Sequence, residues 1–225
     1  MGIFITGEIG THWKGDFQLL DRIVKKCKEV GFDAVKLQAF RLQDLNSRYY
    51  RCKASVTPDY LSKIDEICKR IGIEWYCMPT YVEAVDFLDP YVNRFKVRYR
   101  DCEDISLLHR IFSKGKPVII SSEEPKNTKN GQVTTLYCIN KYPHTMEEVD
   151  YKKMERFDGF SCHCSKLECV LKAVEHGITH LEVHITQDPK DPTLADNPVA
   201  FNLDDCKHMI ESVRKHEQNR DNTTS

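Results

Sequence analysis

The sequence predicts an α/β fold, a (β/α)8 TIM barrel with its fifth helix reduced to a loop. Three observations predict it. Short apolar, β-branched runs alternate with amphipathic helical runs along the chain, the pattern of parallel βαβ units. Eight such units in 225 residues give about 28 residues each, near the lower end for this barrel. The rival architecture, a doubly wound open sheet, usually carries a Gly-rich nucleotide loop after a strand, and none is present.

The elements follow in order. Ile3 to Glu8 reads as the first strand. Asp16 caps a helix in which Phe17, Leu20, Ile23, Val24 and Cys27 recur at helical spacing until Gly31 stops it. Ala34 to Phe40 is the second strand. After a polar connection, Pro58 to Gly72 forms a helix with Leu61, Ile64, Ile67 and Cys68 on one face. Strand Glu74–Pro79, helix Val82–Leu88, strand Arg94–Arg98 and helix Ile105–Ser113 come next, the last closed by Gly115. Strands Pro117–Ser121 and Val133–Ile139 flank the stretch between Ser122 and Gln132, which is too polar and short for a helix that covers a sheet. A helix around Met146–Arg156, strand Gly159–Cys164, helix Lys166–Glu175, strand His180–Thr186 and helix Leu203–His216 complete the barrel, placed over residues 1–217 with a polar tail at 218–225.

Composition narrows the function classes. Thirty-three basic side chains against 34 acidic ones give a net charge of −1, so nothing electrostatic favours nucleic acid or an anionic membrane as partner. No apolar run approaches the roughly 20 residues that cross a bilayer, and no signal peptide precedes the first strand. A soluble, cytoplasmic protein is expected. The 10 cysteines include no C-x-x-C pair and none of the clustering of a secreted scaffold, so reduced, mostly structural thiols are expected.

Alternate residues of a barrel strand face the lumen and the helices. Leu181, Val183 and Ile185 should face the helices, which turns Glu182 and His184 inward. By the same reasoning Lys36, Gln38, Lys96, Arg98, Ser161 and His163 point in, while Glu8 and Ser121 close two further strands. These residues lie toward the C-terminal strand ends, where barrel enzymes carry their chemistry. One inward lysine or histidine reads as a satisfied structural group. Ten convergent polar side chains impose a desolvation cost that favours a site. Two inward histidines on neighbouring strands suit one divalent ion with open positions, and the lysines, arginine and serines suit a small anion. Cys162 and Cys164 fall on the face opposite His163, which argues against Cys-His-Cys zinc ligation.

These residues carry a resemblance to the sialic acid synthase family, the phosphoenolpyruvate-dependent synthases of N-acetylneuraminate and related nonulosonic acids. Glu8-Ile9-Gly10 with Gly15-Asp16 is similar to the family's first-strand motif, and Ala34-Val35-Lys36-Leu37-Gln38 to its second. Phe95-Lys96-Val97 resembles the fourth and Lys116 to Ser122 the fifth. Leu136-Tyr137-Cys138 leading to Tyr142-Pro143 resembles the sixth, and Gly159 to His163 and Glu182 to Thr186 the last two. Seven short motifs in the right order are specific together.

The resemblance implies a carbohydrate-biosynthetic transferase that condenses phosphoenolpyruvate with a sugar aldehyde and releases phosphate. It implies Mn2+ or Mg2+ on His163 and His184, and phosphoenolpyruvate on Lys36, Lys96, Ser121 and Ser161. It makes Tyr142 the sugar-contacting tyrosine, Glu182 the acidic group at the acceptor, and Glu8 the catalytic glutamate. The chain departs from the family pattern at His12-Trp13, Met78, Cys162 and the triplet Arg98, Tyr99 and Arg100, and a barrel without the family's antifreeze-like domain is expected. The acceptor is therefore expected to be unusual, and a homodimer is left open. Two alternatives stay beside this reading: another metal-dependent aldolase or lyase acting on an anionic substrate, and a non-catalytic barrel that binds a metabolite or partner.

Overall fold

A computed structural model describes residues 2–41, 43, 45, 49–125 and 132–223. Eight parallel strands, β1 (Phe4–Gly10), β2 (Ala34–Ala39), β3 (Glu74–Pro79), β4 (Phe95–Val97), β5 (Val118–Ser122), β6 (Val133–Tyr137), β7 (Gly159–Cys162) and β8 (His180–Thr186), each pair with the next. β8 pairs back onto β1, Phe4 against His180 through Glu8 against His184, and closes the (β/α)8 barrel. Around it run α1 (Phe17–Val30), α2 (Tyr49–Ala54), α3 (Leu61–Ile71), α4 (Val82–Leu88), α5 (Ile105–Phe112), α6 (Tyr151–Met154), α7 (Leu167–Glu175) and α8 (Cys206–Thr223). A two-residue strand β9 (Phe201–Asn202) extends the sheet beyond Ile185 and Thr186 of β8.

Local chemistry sets the helix ends. The Asp16 carboxylate accepts from the amides of Gln18 and Leu19 at the start of α1, a cap worth about 1 kcal/mol. At the other end Gly31 takes φ 104° and its amide reaches back to Cys27 and Lys28, a conformation that a Cβ disfavours. Leu20, Ile23, Val24 and Cys27 then lie fully buried against the strands, each large one contributing roughly 1.5–3 kcal/mol.

The core sits between strands and helices. Val35, Leu37, Ala39, Phe95, Val97, Leu181, Val183 and Ile185 all belong to one apolar cluster with the helix faces. Their burial outward forces the intervening residues into the lumen, as the alternation predicts. Low in the barrel the Tyr76 hydroxyl donates to Thr6 Oγ1 at 2.9 Å. Both groups are buried, so the lumen is a packed core below and a polar cavity above.

The structure departs from the sequence reading at several element ends. α2 lies inside the connection read as polar coil, because six residues are too few to show helical periodicity. β4 stops at Val97, so Arg98 lies past the strand, where it leads into a turn at Tyr99–Asp101 and pairs with Asp101. β7 stops at Cys162, leaving His163 and Cys164 beyond it. α8 continues through Thr223, so residues 218–223, read as tail, extend the helix. Of the expected fifth-helix loop, residues 123–125 are not helical, and 126–131 lie outside the described residues. All ten cysteines are free, eight of them buried. Among the described residues no helix is long and apolar enough to cross a membrane.

Candidate active site

A cavity of about 340 Å³ opens at the C-terminal ends of the strands, within the range of small-molecule sites. Its floor is an ion network. Lys36 Nζ on β2 lies 2.7 Å from Glu8 Oε2 on β1 and 2.8 Å from Glu182 Oε2 on β8. Lys96 Nζ on β4 lies 3.5 Å from Glu182 Oε1 and donates to Ser121 Oγ on β5. Ser161 Oγ on β7 donates to Glu182 Oε1 at 3.0 Å, and Gln38 Nε2 donates to Glu8 Oε1 at 2.7 Å. Gly10 allows the last contact. At φ +54° a Cβ there would stand 3.0 Å from Glu8 Oε1 and 3.3 Å from Gln38 Nε2. The register of β1 on β2 shifts between Glu8 and Gly10, a bulge that re-aims the strand end next to the site.

Burial dominates the floor's electrostatics. It pushes the Lys36 ammonium down to about 8, against the attraction of Glu182 and with the help of the Lys96 charge. Burial alone would raise the Glu182 carboxyl. The Lys36 and Lys96 ammoniums overcome it and hold Glu182 well below the usual carboxylate range. The floor thus carries two ammoniums bridged by Glu182, with Glu8 a second carboxylate on Lys36 and serine hydroxyls beside Lys96 and Glu182, and an incoming anion would share those ammoniums.

Above the floor stand His163 and His184, ring centroids 5.3 Å apart. Burial pushes His184 down to about 4, partly offset by Asp196, and pushes His163 well below the usual histidine range, with His184 adding to the effect. Both imidazoles are therefore neutral near pH 7 and offer lone pairs into one cavity, a donor pair that fits a divalent ion with open positions. The Tyr142 ring packs 4.8 Å from His163 and 5.7 Å from His184, and its hydroxyl donates to Asp196 Oδ1 at 2.8 Å. His12 Nε2 lies 4.0 Å from Asp196 Oδ2.

The structure brings Lys36, Gln38, Lys96, Ser121, Tyr142, Ser161, His163, Glu182 and His184 to this cavity, with Glu8 touching Lys36 and Gln38 from its side. Two of these residues have partners that strand alternation does not supply. Glu182 lies in the floor between the lysines, in register with Thr6 and Ser161 and two residues before His184. Arg98 lines the wall, but its guanidinium is committed to Asp101 at 2.6 and 3.1 Å and lies over the Phe40 ring. The rim also includes Met78, Tyr99, Arg100, Asn140 and Lys141. Tyr99 donates to Glu123, and Lys141 pairs with Glu148.

Sequence reasoning missed His12, Cys138 and Asp196. Asp196 and His12 lie on loops beyond β8 and β1, where strand alternation carries no signal. Cys138 Sγ stands 3.9 Å from His163 Nδ1 just past β6, inside the strand read over Val133–Ile139, where a thiol among apolar residues gave no sign of a site.

Known proteins resemble this chain. A family model described as the NeuB family matches residues 23–225. N,N'-diacetyllegionaminic acid synthase of Legionella pneumophila is 26% identical over 96% of this chain and 73% of its own length. The human N-acetylneuraminate-9-phosphate synthase is 25% identical over 94% of this chain and 69% of its own. The crystal structure of the N-acetylneuraminic acid synthetase of Leptospira borgpetersenii, in complex with citrate, superposes with a TM-score of 0.85 at 19% identity, covering 97% of this chain and 85% of that one. That likeness shows the barrel. With a family match running from within the first helix to the last residue, the chain belongs to the NeuB family.

Proposed function

We propose that this barrel condenses phosphoenolpyruvate with a sugar aldehyde to give a nonulosonic-acid-type 2-keto acid and inorganic phosphate. One observation carries the reading: two buried ammoniums, Lys36 and Lys96, lie with Ser121 and Ser161 on the floor of a cavity whose mouth holds two neutral histidines. Family membership supports it, since the reaction is that of the named synthases.

In this reading Lys36 and Lys96 hold the phosphate and carboxylate, and the serine hydroxyls donate to their oxygens. His163 and His184 would hold Mn2+ or Mg2+, which supplies Lewis-acid polarisation of a carbonyl. The enol carbon of phosphoenolpyruvate bonds to the aldehyde carbon, and the aldehyde oxygen becomes a hydroxyl by taking up the proton that Glu8 removes from water. Glu8, held by Gln38 and Lys36, takes a proton from the water that adds to the phosphate-bearing carbon. The C–O bond to phosphate then breaks and leaves the ketone. Tyr142 and Asp196 face the acceptor, and the rim at Arg98, Tyr99 and Arg100 shapes its far end, consistent with an acceptor smaller or more anionic than N-acetylmannosamine.

The test is phosphate release and product mass with manganese, phosphoenolpyruvate and a panel of aldoses, N-acetylhexosamines and their phosphates. Acceptor-dependent phosphate release that disappears in His184→Ala is the expected result. Manganese binding without any affinity for phosphoenolpyruvate would leave an aldolase or lyase reading in its place.

A further inference from the structure

Behind His163, on the face turned away from the cavity, four soft donors from three elements meet. His144 comes from the β6–α6 connection, Cys162 and Cys164 from the end of β7, and Cys169 from the first turn of α7. The ligand atoms of His144, Cys164 and Cys169 all lie within 4.8 Å of one another, and among the described residues this is the one group of three such donors. Cys162 Sγ stands 4.0 Å from Cys169 Sγ. All four residues are buried.

The geometry points to a second metal site here, a closed Cys3His site for a thiophilic d10 ion of the zinc class. Four protein donors with no open position make a structural rather than a catalytic site. A tetrahedral ion with metal–sulfur bonds of roughly 2.3 Å sets its sulfurs about 3.8 Å apart, so His144, Cys164 and Cys169 need to close by about an ångström from their 4.8 Å limit, and Cys162 joins them through Cys169 at 4.0 Å. The histidine is oriented for it. His144 Nδ1 faces the Thr145 carbonyl at 3.0 Å, a contact that places the proton on Nδ1 and the lone pair on Nε2. That lone pair accepts the His163 amide at 3.0 Å, a contact that a bound ion would replace. Cys162 Sγ likewise exchanges its contact with the Cys164 carbonyl for the metal.

Strand alternation puts His163 on the lumen side and its flanking thiols on the other. The site therefore excludes His163 and draws its imidazole from His144, which the backbone couples to His163 in both directions: the His144 amide also donates to the His163 carbonyl. A bound ion would clasp β7, α7 and the β6–α6 connection directly behind the residue that faces the cavity. Nothing in this assignment depends on phosphoenolpyruvate chemistry.

The test is cobalt substitution, with the full chain produced in cobalt-supplemented medium so that the buried site fills during folding. Wild type should carry one cobalt with thiolate-to-metal charge-transfer absorption and the visible bands of tetrahedral coordination. Those bands should persist in His184→Ala and in Cys206→Ser, a buried thiol elsewhere, and disappear in Cys164→Ser and Cys169→Ser. His144→Asn supplies the same readout should either serine variant not fold. Bands lost in His184→Ala but kept in the cysteine variants would place the cobalt in the cavity mouth beside Cys138 and overturn the proposal. Bands that survive every variant, or no thiolate band in any protein, would overturn it as well.

Discussion

Lys36 on β2 and Glu182 on β8 meet across the barrel lumen at 2.8 Å. The ammonium and the carboxylate are both buried, and each keeps the other charged where burial alone would neutralise it. The lysine nevertheless stands at about 8 rather than 10.5. Its charge is therefore complete below that value and lost as pH rises through it. Phosphoenolpyruvate affinity is expected to hold from pH 6 to 7.5 and then weaken about tenfold per unit above pH 8. Titration of the dissociation constant by calorimetry checks this, and a flat profile to pH 9.5 would contradict it. In Glu182→Gln the weakening should begin at lower pH, because the attraction that supports the ammonium is gone.

Tyr142 donates to Asp196 at 2.8 Å while its ring packs on both histidines. Tyr142→Phe keeps the ring and removes the hydrogen bond. One bond to a charged group at a half-exposed position is worth about tenfold in binding, so the acceptor KM should rise by about that factor. The phosphoenolpyruvate KM should stay within about twofold. Equal losses for both substrates would place Tyr142 elsewhere in the reaction.

The barrel and its floor were legible because both follow from strand alternation. Once Leu181, Val183 and Ile185 are assigned to the helices, Glu182 and His184 have nowhere to go but inward, and the same holds for Lys36 and Lys96. What alternation cannot supply is depth along the axis. It turns Glu182 inward, and only the register with Thr6 sets it two residues below His184, between the lysines. Nor does alternation reach past a strand end. Arg98, just past β4, lines the cavity wall but turns its charge to Asp101, and Asp196 sits on a loop beyond β8. The thiols beside His163 were read as outward-packing hydrophobes, correct for their face. Their meeting with His144 and Cys169 is a tertiary fact that no spacing within the chain announces.

Gly159 opens β7 where it passes β8 with no room to spare. A Cβ there would stand 2.2 Å from the His180 carbonyl oxygen and 2.7 Å from Leu136 Cδ2. The first obstacle is backbone, which cannot swing aside as a side chain does. Gly159→Ala should therefore cost about 3 kcal/mol or more by separating β7 from β8. Urea unfolding measures it, and a loss under about 1 kcal/mol would mean the strands part more easily than their pairing implies.

Gly10→Ala separates stability from chemistry at the cavity floor. The position has φ +54°, and an L-residue held there costs roughly 1–2 kcal/mol. Its methyl would also press on Glu8 Oε1 at 3.0 Å and Gln38 Nε2 at 3.3 Å, the two atoms of the bond that orients Glu8. The backbone cost should appear in unfolding as a loss of about 1–2 kcal/mol. The displaced carboxylate should appear separately, as a fall in kcat of about tenfold or more with phosphoenolpyruvate binding little changed. Gln38→Ala removes the same bond without backbone strain, so it should reproduce the fall in kcat and not the backbone cost. If Gly10→Ala loses stability while both variants keep full kcat, Glu8 is a structural partner of Lys36 and the base must be sought nearer Asp196.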